Sequence, residues 1–260
     1  MTYGSVFAEG LFRDRVALVT GGGSGIGRCI AHELASLGAH VVVAGRKRAP
    51  LDVVVAEIAS DGGSASARAT DVRREDDVRD LIAEVVGRQG RLDFLVNNAG
   101  GQFPAPLEAI PTKGWQAVID TNLTGIFLMC REALAGWMQQ NGGAIVNMVA
   151  DMWRGMPMMG HSGAARAGVV NLTQTAALEW APYHVRVNAV APGLIASSGF
   201  KTYPEAVQEA LLTMPQELPA RRFGTESEVS GAVCFLLSPA ASYISGATLR
   251  VDAASSLYRH

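Results

Sequence analysis

Cysteine is scarce in this chain of 260 residues: Cys29, Cys130 and Cys234 stand far apart and are odd in number. With no Cys-x-x-Cys spacing among them, a disulfide framework is excluded, and the three read as reduced core residues. Neither sign of charge is in surplus, since 22 Lys and Arg against 24 Asp and Glu leave a formal charge of −2, spread along the sequence. A protein that follows a phosphate backbone needs a basic face, so nucleic acid is not an expected partner. Long apolar runs are missing too: none reaches the roughly 20 residues of a membrane span. The stretch from Met1 to Arg15, with Glu9, Arg13 and Asp14, does not read as a signal peptide. A cytoplasmic protein that engages neither nucleic acid nor membrane, and holds no metal, is expected.

What the chain has is apolar content, 48% of its residues, in a length that suits one large α/β core over residues 1–260. Short β-branched runs, Val16 to Val19, Val41 to Ala44, Phe94 to Val96, Ala144 to Met148, Val185 to Val190 and Thr248 to Val251, alternate with longer segments. Strands buried on both faces read this way. The segments Arg28 to Leu37, Glu75 to Gln89 and Trp115 to Gln139 space their apolar residues at three and four, as helices do. The repeat predicts an α/β fold, a Rossmann-type doubly wound parallel sheet of about seven strands flanked by helices. Residues 13–196 would form the cofactor and catalytic core. The stretch 197–219, broken by Pro204, Pro215 and Pro219, predicts a helical flap beside a pocket.

The first strand runs into Thr20-Gly21-Gly22-Gly23-Ser24-Gly25-Ile26-Gly27 and then into a helix. Glycines there let the backbone turn sharply and approach a pyrophosphate, whose charge suits the helix start. A plain glycine-rich turn is the alternative. After the second strand, where an acidic residue would bind the ribose hydroxyls of NAD, stand Arg46 and Lys47. Cations suit a 2′-phosphate, so NADP(H) is the expected cofactor, a solvated basic loop being the alternative.

Together with Asn97-Asn98-Ala99-Gly100, Thr121-Asn122-Leu123-Thr124-Gly125 and Pro192-Gly193-Leu194-Ile195, this loop resembles the ordered signatures of the short-chain dehydrogenase/reductase family over almost the whole chain. The resemblance implies that Asp71 and Val72 border the adenine and that Asn98, Ala99 and Gly100 line the cofactor. It also implies that Pro192, Gly193 and Ile195 hold the carboxamide, with Ser197 beside the same ring, and that subunits pair into dimers or tetramers through the Trp115 and Ser162 helices.

Common members of that family use a Tyr-x-x-x-Lys pair assisted by serine and asparagine. Here the asparagine is Asn122, the tyrosine place is Ser162, the lysine place is Arg166, and the serine place falls at Val149 or Ala150. A serine hydroxyl is a far weaker acid than tyrosine, whose pKa is about 10, and arginine keeps its proton. Ordinary alcohol–ketone chemistry is therefore disfavoured. Ser162 and Arg166, four apart at a helix start, share a face, where the guanidinium could anchor the nicotinamide ribose or stabilise an oxyanion on a thioester.

The runs Gly100-Gly101-Gln102-Phe103, Lys113-Gly114-Trp115 and His161 to Val169 resemble the peroxisomal trans-2-enoyl-CoA reductases, and the 2,4-dienoyl-CoA reductases also lack tyrosine at the Ser162 place. In some of the latter a tyrosine donates the proton from the place held here by Asp151, which could relay a proton or be a solvated carboxylate. His161 is a further candidate donor, or a hydrogen-bonded structural residue. Met148, Met152, Met156, Met158 and Met159 would wall an acyl substrate, or pack the core. The end at Leu257-Tyr258-Arg259-His260 lacks a peroxisomal signal, which suits a bacterial cytosolic setting.

Three functions follow as expectations. The first is NADPH-dependent reduction of an activated double bond in a small-molecule acyl thioester. The second is oxidation or reduction of fatty or acyclic terpenoid alcohols and aldehydes, with Ser162, His161 or Asp151 in place of tyrosine. The third is noncatalytic NADP binding.

Overall fold

The computed structural model describes residues 7–198 and 214–258. Within them the β-branched runs become strands β1 (Val16–Thr20), β2 (His40–Gly45), β4 (Phe94–Asn97), β5 (Gly143–Met148), β6 (Val185–Pro192) and β7 (Thr248–Val251). The strand that completes the set, β3 (Ser64–Ala69), is not β-branched. All seven are parallel, in the order β3-β2-β1-β4-β5-β6-β7. The sequence Ser-Ala-Ser-Ala-Arg-Ala of β3 alternates, but with side chains too small to stand out. As an edge strand it needs only Ala65 and Ala67 to face the core.

Helices α1 (Gly25–Ser36), α2 (Arg48–Ser60), α3 (Glu75–Gln89), α4 (Thr112–Ile119), α5 (Gly125–Ala133), α6 (Gly160–Trp180) and α7 (Glu226–Leu237) cover the sheet. Alternate residues of one strand serve opposite layers: Val19, Val43, Val96 and Val146 pack against α1 and α7 residues such as Ile30 and Val233. Leu18, Val42, Leu95 and Ile145 pack instead among Leu81 of α3, Met129 of α5 and Val169 of α6. Burial of such side chains contributes about 1.5–3 kcal/mol each, and covering both faces is what makes the strands uniformly apolar.

The segment Trp115 to Gln139 is not one regular helix. Two wide turns interrupt it, at Asp120–Thr124 and Leu134–Met138. Such an inserted residue displaces the backbone hydrogen-bond ladder locally, and the first of these turns carries Asn122. Of the expected flap, residues 199–213 lie outside the described residues, and Met214–Glu217 form a short 3₁₀ turn. Among the described residues, no helix is long and apolar enough to cross a membrane, and no cluster of side chains is arranged to hold a metal ion.

Candidate active site

The sheet order reverses between β1 and β4, and the crevice at their carboxyl ends is where open α/β sheets take ligands. The glycine loop occupies that crevice. Gly21 has φ +66° and Gly25 φ +55°, values that favour glycine. A Cβ at Gly27 would overlap the Gly21 carbonyl oxygen and the Asn98 amide. The loop is tied down by Thr20, whose hydroxyl accepts the Asn98 and Ala99 backbone N–H groups at 3.0 Å each. Asn98 Nδ2 donates to the carbonyl of Thr20 at 3.0 Å and of Gly21 at 3.3 Å. Ser24 precedes α1 without a side-chain capping bond, leaving the first-turn N–H groups open to an anion.

Next to the loop a cavity of about 140 Å³ is lined by Gly21, Gly45, Arg46, Thr70, Asp71, Val72, Ala99 and Gly100, among others. The buried Thr70 hydroxyl has no hydrogen-bond partner there. A dinucleotide fits this setting: the glycine cradle suits a pyrophosphate, and an orphaned hydroxyl beside cations suits an adenosine. Gly23, Ser24 and Lys47 flank the same loops, Gly23 packing on Pro50 and Leu51.

A second cavity, of about 570 Å³, opens beyond the loop, within the range of small-molecule sites. Ile26, Met156, Met159, Leu194, Ile195 and Leu218 make much of its wall apolar, and Gln102, Asp151, Ser197 and Tyr258 face it as polar groups. Pro192 and Gly193 line it as well. Of the five methionines expected there, only Met156 and Met159 do so. Met148 is a buried strand residue, and Met158, at φ +65°, is exposed and anchors the loop by accepting the Ala105 N–H at 2.8 Å.

Next to Gln102 on this cavity's wall stand the residues at the expected catalytic positions. Ser162 is fully buried and its hydroxyl donates to Gln102 Oε1 at 2.7 Å. Asn122 clamps the residue before Gln102 on both sides: its Oδ1 accepts the Gly101 N–H and its Nδ2 donates to the Gly101 carbonyl, each at 2.9 Å. Arg166 donates through Nη1 to the Met148 carbonyl at 2.6 Å, while its Nε lacks a partner. Among the described residues no carboxylate pairs with it, and burial lowers its pKa to about 10, so it remains a cation at neutral pH. A Cβ at Gly100 would lie 2.5 Å from Arg166 Nη2, so this glycine admits the guanidinium. His161 is buried, edge-on to Phe103 at 4.5 Å, with Nδ1 accepting the Ser162 N–H and Nε2 unpartnered. Of the two residues at the serine place, Ala150 lines the cavity and Val149 is buried.

Asp151 is the sequence candidate that faces the cavity with a titratable group. Partial burial and then the neighbouring Asp252 push its pKa up, against the Trp153 backbone amide, Arg250 and Arg154. A carboxyl whose folded pKa is raised binds its proton more tightly in the native state. The folded form is therefore favoured below the ordinary carboxylate range, and that advantage is lost as pH rises through the raised value. Asp151→Asn is expected to raise the melting temperature at neutral pH and flatten its dependence between these pH values. A melting series across mildly acidic pH checks this, and an unchanged slope would contradict it.

The sequence marks Gln102 only as part of a loop run. Its role depends on Ser162, far along the chain, and no local pattern encodes that contact. Tyr258, whose carbonyl accepts from Arg154 Nη1, is likewise unmarked.

A parallel sheet with a glycine cradle at its switch point and an apolar cavity beyond defines a Rossmann-type fold whose crevice suits a dinucleotide. The chain belongs to the short-chain dehydrogenase/reductase family, whose members bind a nicotinamide cofactor: residues 21–254 match the family described as enoyl-(acyl carrier protein) reductase. It is 39% identical over 241 residues to a probable 2,4-dienoyl-CoA reductase of Bacillus subtilis, covering 92% of this chain and 95% of the relative. It is 42% identical over 244 residues to a 3-oxoacyl-[acyl-carrier-protein] reductase of Synechocystis, covering 92% and 95%. Among solved structures, the citronellol catabolism dehydrogenase AtuB of Pseudomonas aeruginosa superposes with a TM-score of 0.88 at 52% identity, covering 98% of this chain and all of that one.

Proposed function

We propose that the protein is an NADPH-dependent reductase of the activated carbon–carbon double bond of an enoyl thioester. The observation that supports this reading is the hydrogen bond from Ser162 to Gln102 Oε1. That bond fixes the Gln102 side chain, and Gln102 lines the cavity, so the polar group held there is an amide rather than a phenol. An amide N–H stabilises a developing oxyanion but does not surrender its proton. Reduction of a ketone requires a proton delivered to oxygen. Hydride addition to the β-carbon of an enoyl thioester forms an enolate, whose α-carbon takes its proton from water, so a strong acid is dispensable.

In this reading Gly21, Gly23, Ser24, Gly25, Ile26 and Gly27 hold the pyrophosphate side of NADP(H), and Arg46 and Lys47 its 2′-phosphate. Asp71 and Val72 border the adenine, Asn98, Ala99 and Gly100 the middle, and Pro192, Gly193, Ile195 and Ser197 the carboxamide. The bound cofactor supplies the hydride. Asn122 fixes the main chain before Gln102, Ser162 aims the Gln102 amide, and Arg166 contributes a buried positive charge.

Arg166→Met is expected to lower turnover of an enoyl thioester at least about tenfold, with a smaller loss in NADPH affinity. Steady-state kinetics beside a cofactor titration checks this, and equal losses would make Arg166 a ribose anchor only.

A second reading, a dehydrogenase of acyclic terpenoid or fatty alcohols and aldehydes, is favoured by the 52% identity to the citronellol catabolism dehydrogenase. There Asp151, exposed to the cavity, would exchange the proton. Following reduced-nicotinamide absorbance with crotonyl-, medium-chain enoyl- and dienoyl-CoA against citronellal, 3-oxoacyl thioesters and simple ketones separates the two. Turnover confined to the unsaturated thioesters supports the first, turnover of aldehydes the second. Cofactor binding without any turnover would favour a noncatalytic protein.

A further inference from the structure

We propose that Arg73 sets the preference for a phosphorylated ribose by neutralising Asp71, an inference that rests on the NADPH reading above. The adenosine-side cavity holds three charged residues, Arg46, Asp71 and Arg73. Left alone, a carboxylate beside Arg46 would attract the cation that the phosphate needs and repel the phosphate itself.

Arg73 prevents both. It donates its backbone N–H to Asp71 Oδ1 at 3.1 Å, Nε to Oδ1 at 2.9 Å and to Oδ2 at 3.2 Å, and Nη2 to Oδ2 at 2.5 Å. The two residues sit in one tight turn, closed by the Arg74 N–H on the Asp71 carbonyl at 3.0 Å, so the fork is held in place by local backbone geometry. The turn is itself registered to the sheet, because the Thr70 N–H donates to the Gly45 carbonyl at 2.9 Å beside Arg46. Hydrogen bonding from Arg73 holds the Asp71 carboxyl below its ordinary range, and Arg46 adds a smaller electrostatic effect of the same sign. Arg48 is engaged by Asp52 at 2.6 Å, whereas Arg46 forms no ion pair among the described residues. With Asp71 matched by Arg73, the cavity keeps one uncompensated positive charge at Arg46.

The mechanism predicts a signature that a direct phosphate contact by Arg73 would not give. Fluorescence titration with NADPH and with NADH is made on wild type, Arg73→Met, Asp71→Asn and the double variant, each checked for folding by circular dichroism. Arg73→Met is expected to reduce the preference for NADPH over NADH about tenfold, and the double variant to recover the ratio of Asp71→Asn. Taking the ratio cancels any loss of adenine contact common to both cofactors. Should Arg73→Met not fold, Arg73→Lys, which keeps the charge, is expected to retain the preference, and Arg73→Gln to lose it. An unchanged ratio on removing the charge, or a loss that persists in the double variant, overturns the proposal. A wild type that favours NADH overturns the cofactor reading and this inference with it, while a wild type that favours NADPH with an indifferent Arg73 overturns the inference alone.

Discussion

Replacing Gln102 with leucine is expected to lower kcat about 10²-fold, the usual loss on removing one oxyanion donor, with the cofactor dissociation constant nearly unchanged. Leucine keeps comparable bulk and fills the same part of the cavity wall, so the change removes polarity rather than shape. The Asn122 bonds to Gly101 involve only the main chain at that residue and stay in place. What disappears is the side-chain amide that the Ser162 hydroxyl holds at the cavity. Ser162→Ala removes the aim without removing the donor, so its loss should be smaller, and the double variant should be little worse than Gln102→Leu alone. Steady-state kinetics on the three variants checks the order. A fully active Gln102→Leu enzyme would remove the observation on which the enoyl reading stands.

Gly27→Ala is expected to abolish measurable cofactor binding and to lower the melting temperature by several degrees. The new methyl would meet the Gly21 carbonyl oxygen and the Asn98 amide. Neither is free to move: the Gly21 N–H donates to the Ala44 carbonyl at 2.7 Å, and Asn98 is fixed to the Thr20 main chain and hydroxyl. Overpacking of this kind costs about 1–3 kcal/mol, and relieving it requires opening the loop that would cradle the pyrophosphate. Gly231 in α7 supplies the control, because a Cβ there meets nothing within 4 Å. Gly231→Ala should leave binding intact and stabilise the helix by about 0.4–1 kcal/mol. Thermal melts and NADPH titration on both variants make the comparison, and tight binding by Gly27→Ala would contradict the cradle.

The strands that carry Val, Ile and Leu were legible because a parallel strand covered on both faces leaves a continuous apolar run. β3 was not, because an edge strand of serine and alanine buries little and leaves a weak trace. The wide turn at Asp120–Thr124 was hidden too: the apolar spacing from Trp115 to Gln139 reads as one helix, and the inserted residue shows only in its hydrogen bonds. Among the methionines, composition marked an adaptable apolar wall, but the sorting of Met156 and Met159 to the cavity and Met148 to the core depended on strand and loop geometry.

Local order along the chain determined the α/β alternation, the glycine loop with its cations, and the loss of the usual tyrosine and lysine, since each is a property of neighbouring residues or of their type. Tertiary structure decided what the side chains at those positions touch. Ser162 meets Gln102 across 60 positions, and Arg166 reaches the Met148 carbonyl of β5 across 18. Those contacts exist because adjacent parallel strands bring βα loops to one edge of the sheet, and burial there removes the water that would otherwise satisfy each group. Which polar atom a buried side chain finds is then settled by the packing of distant segments, which no local pattern records.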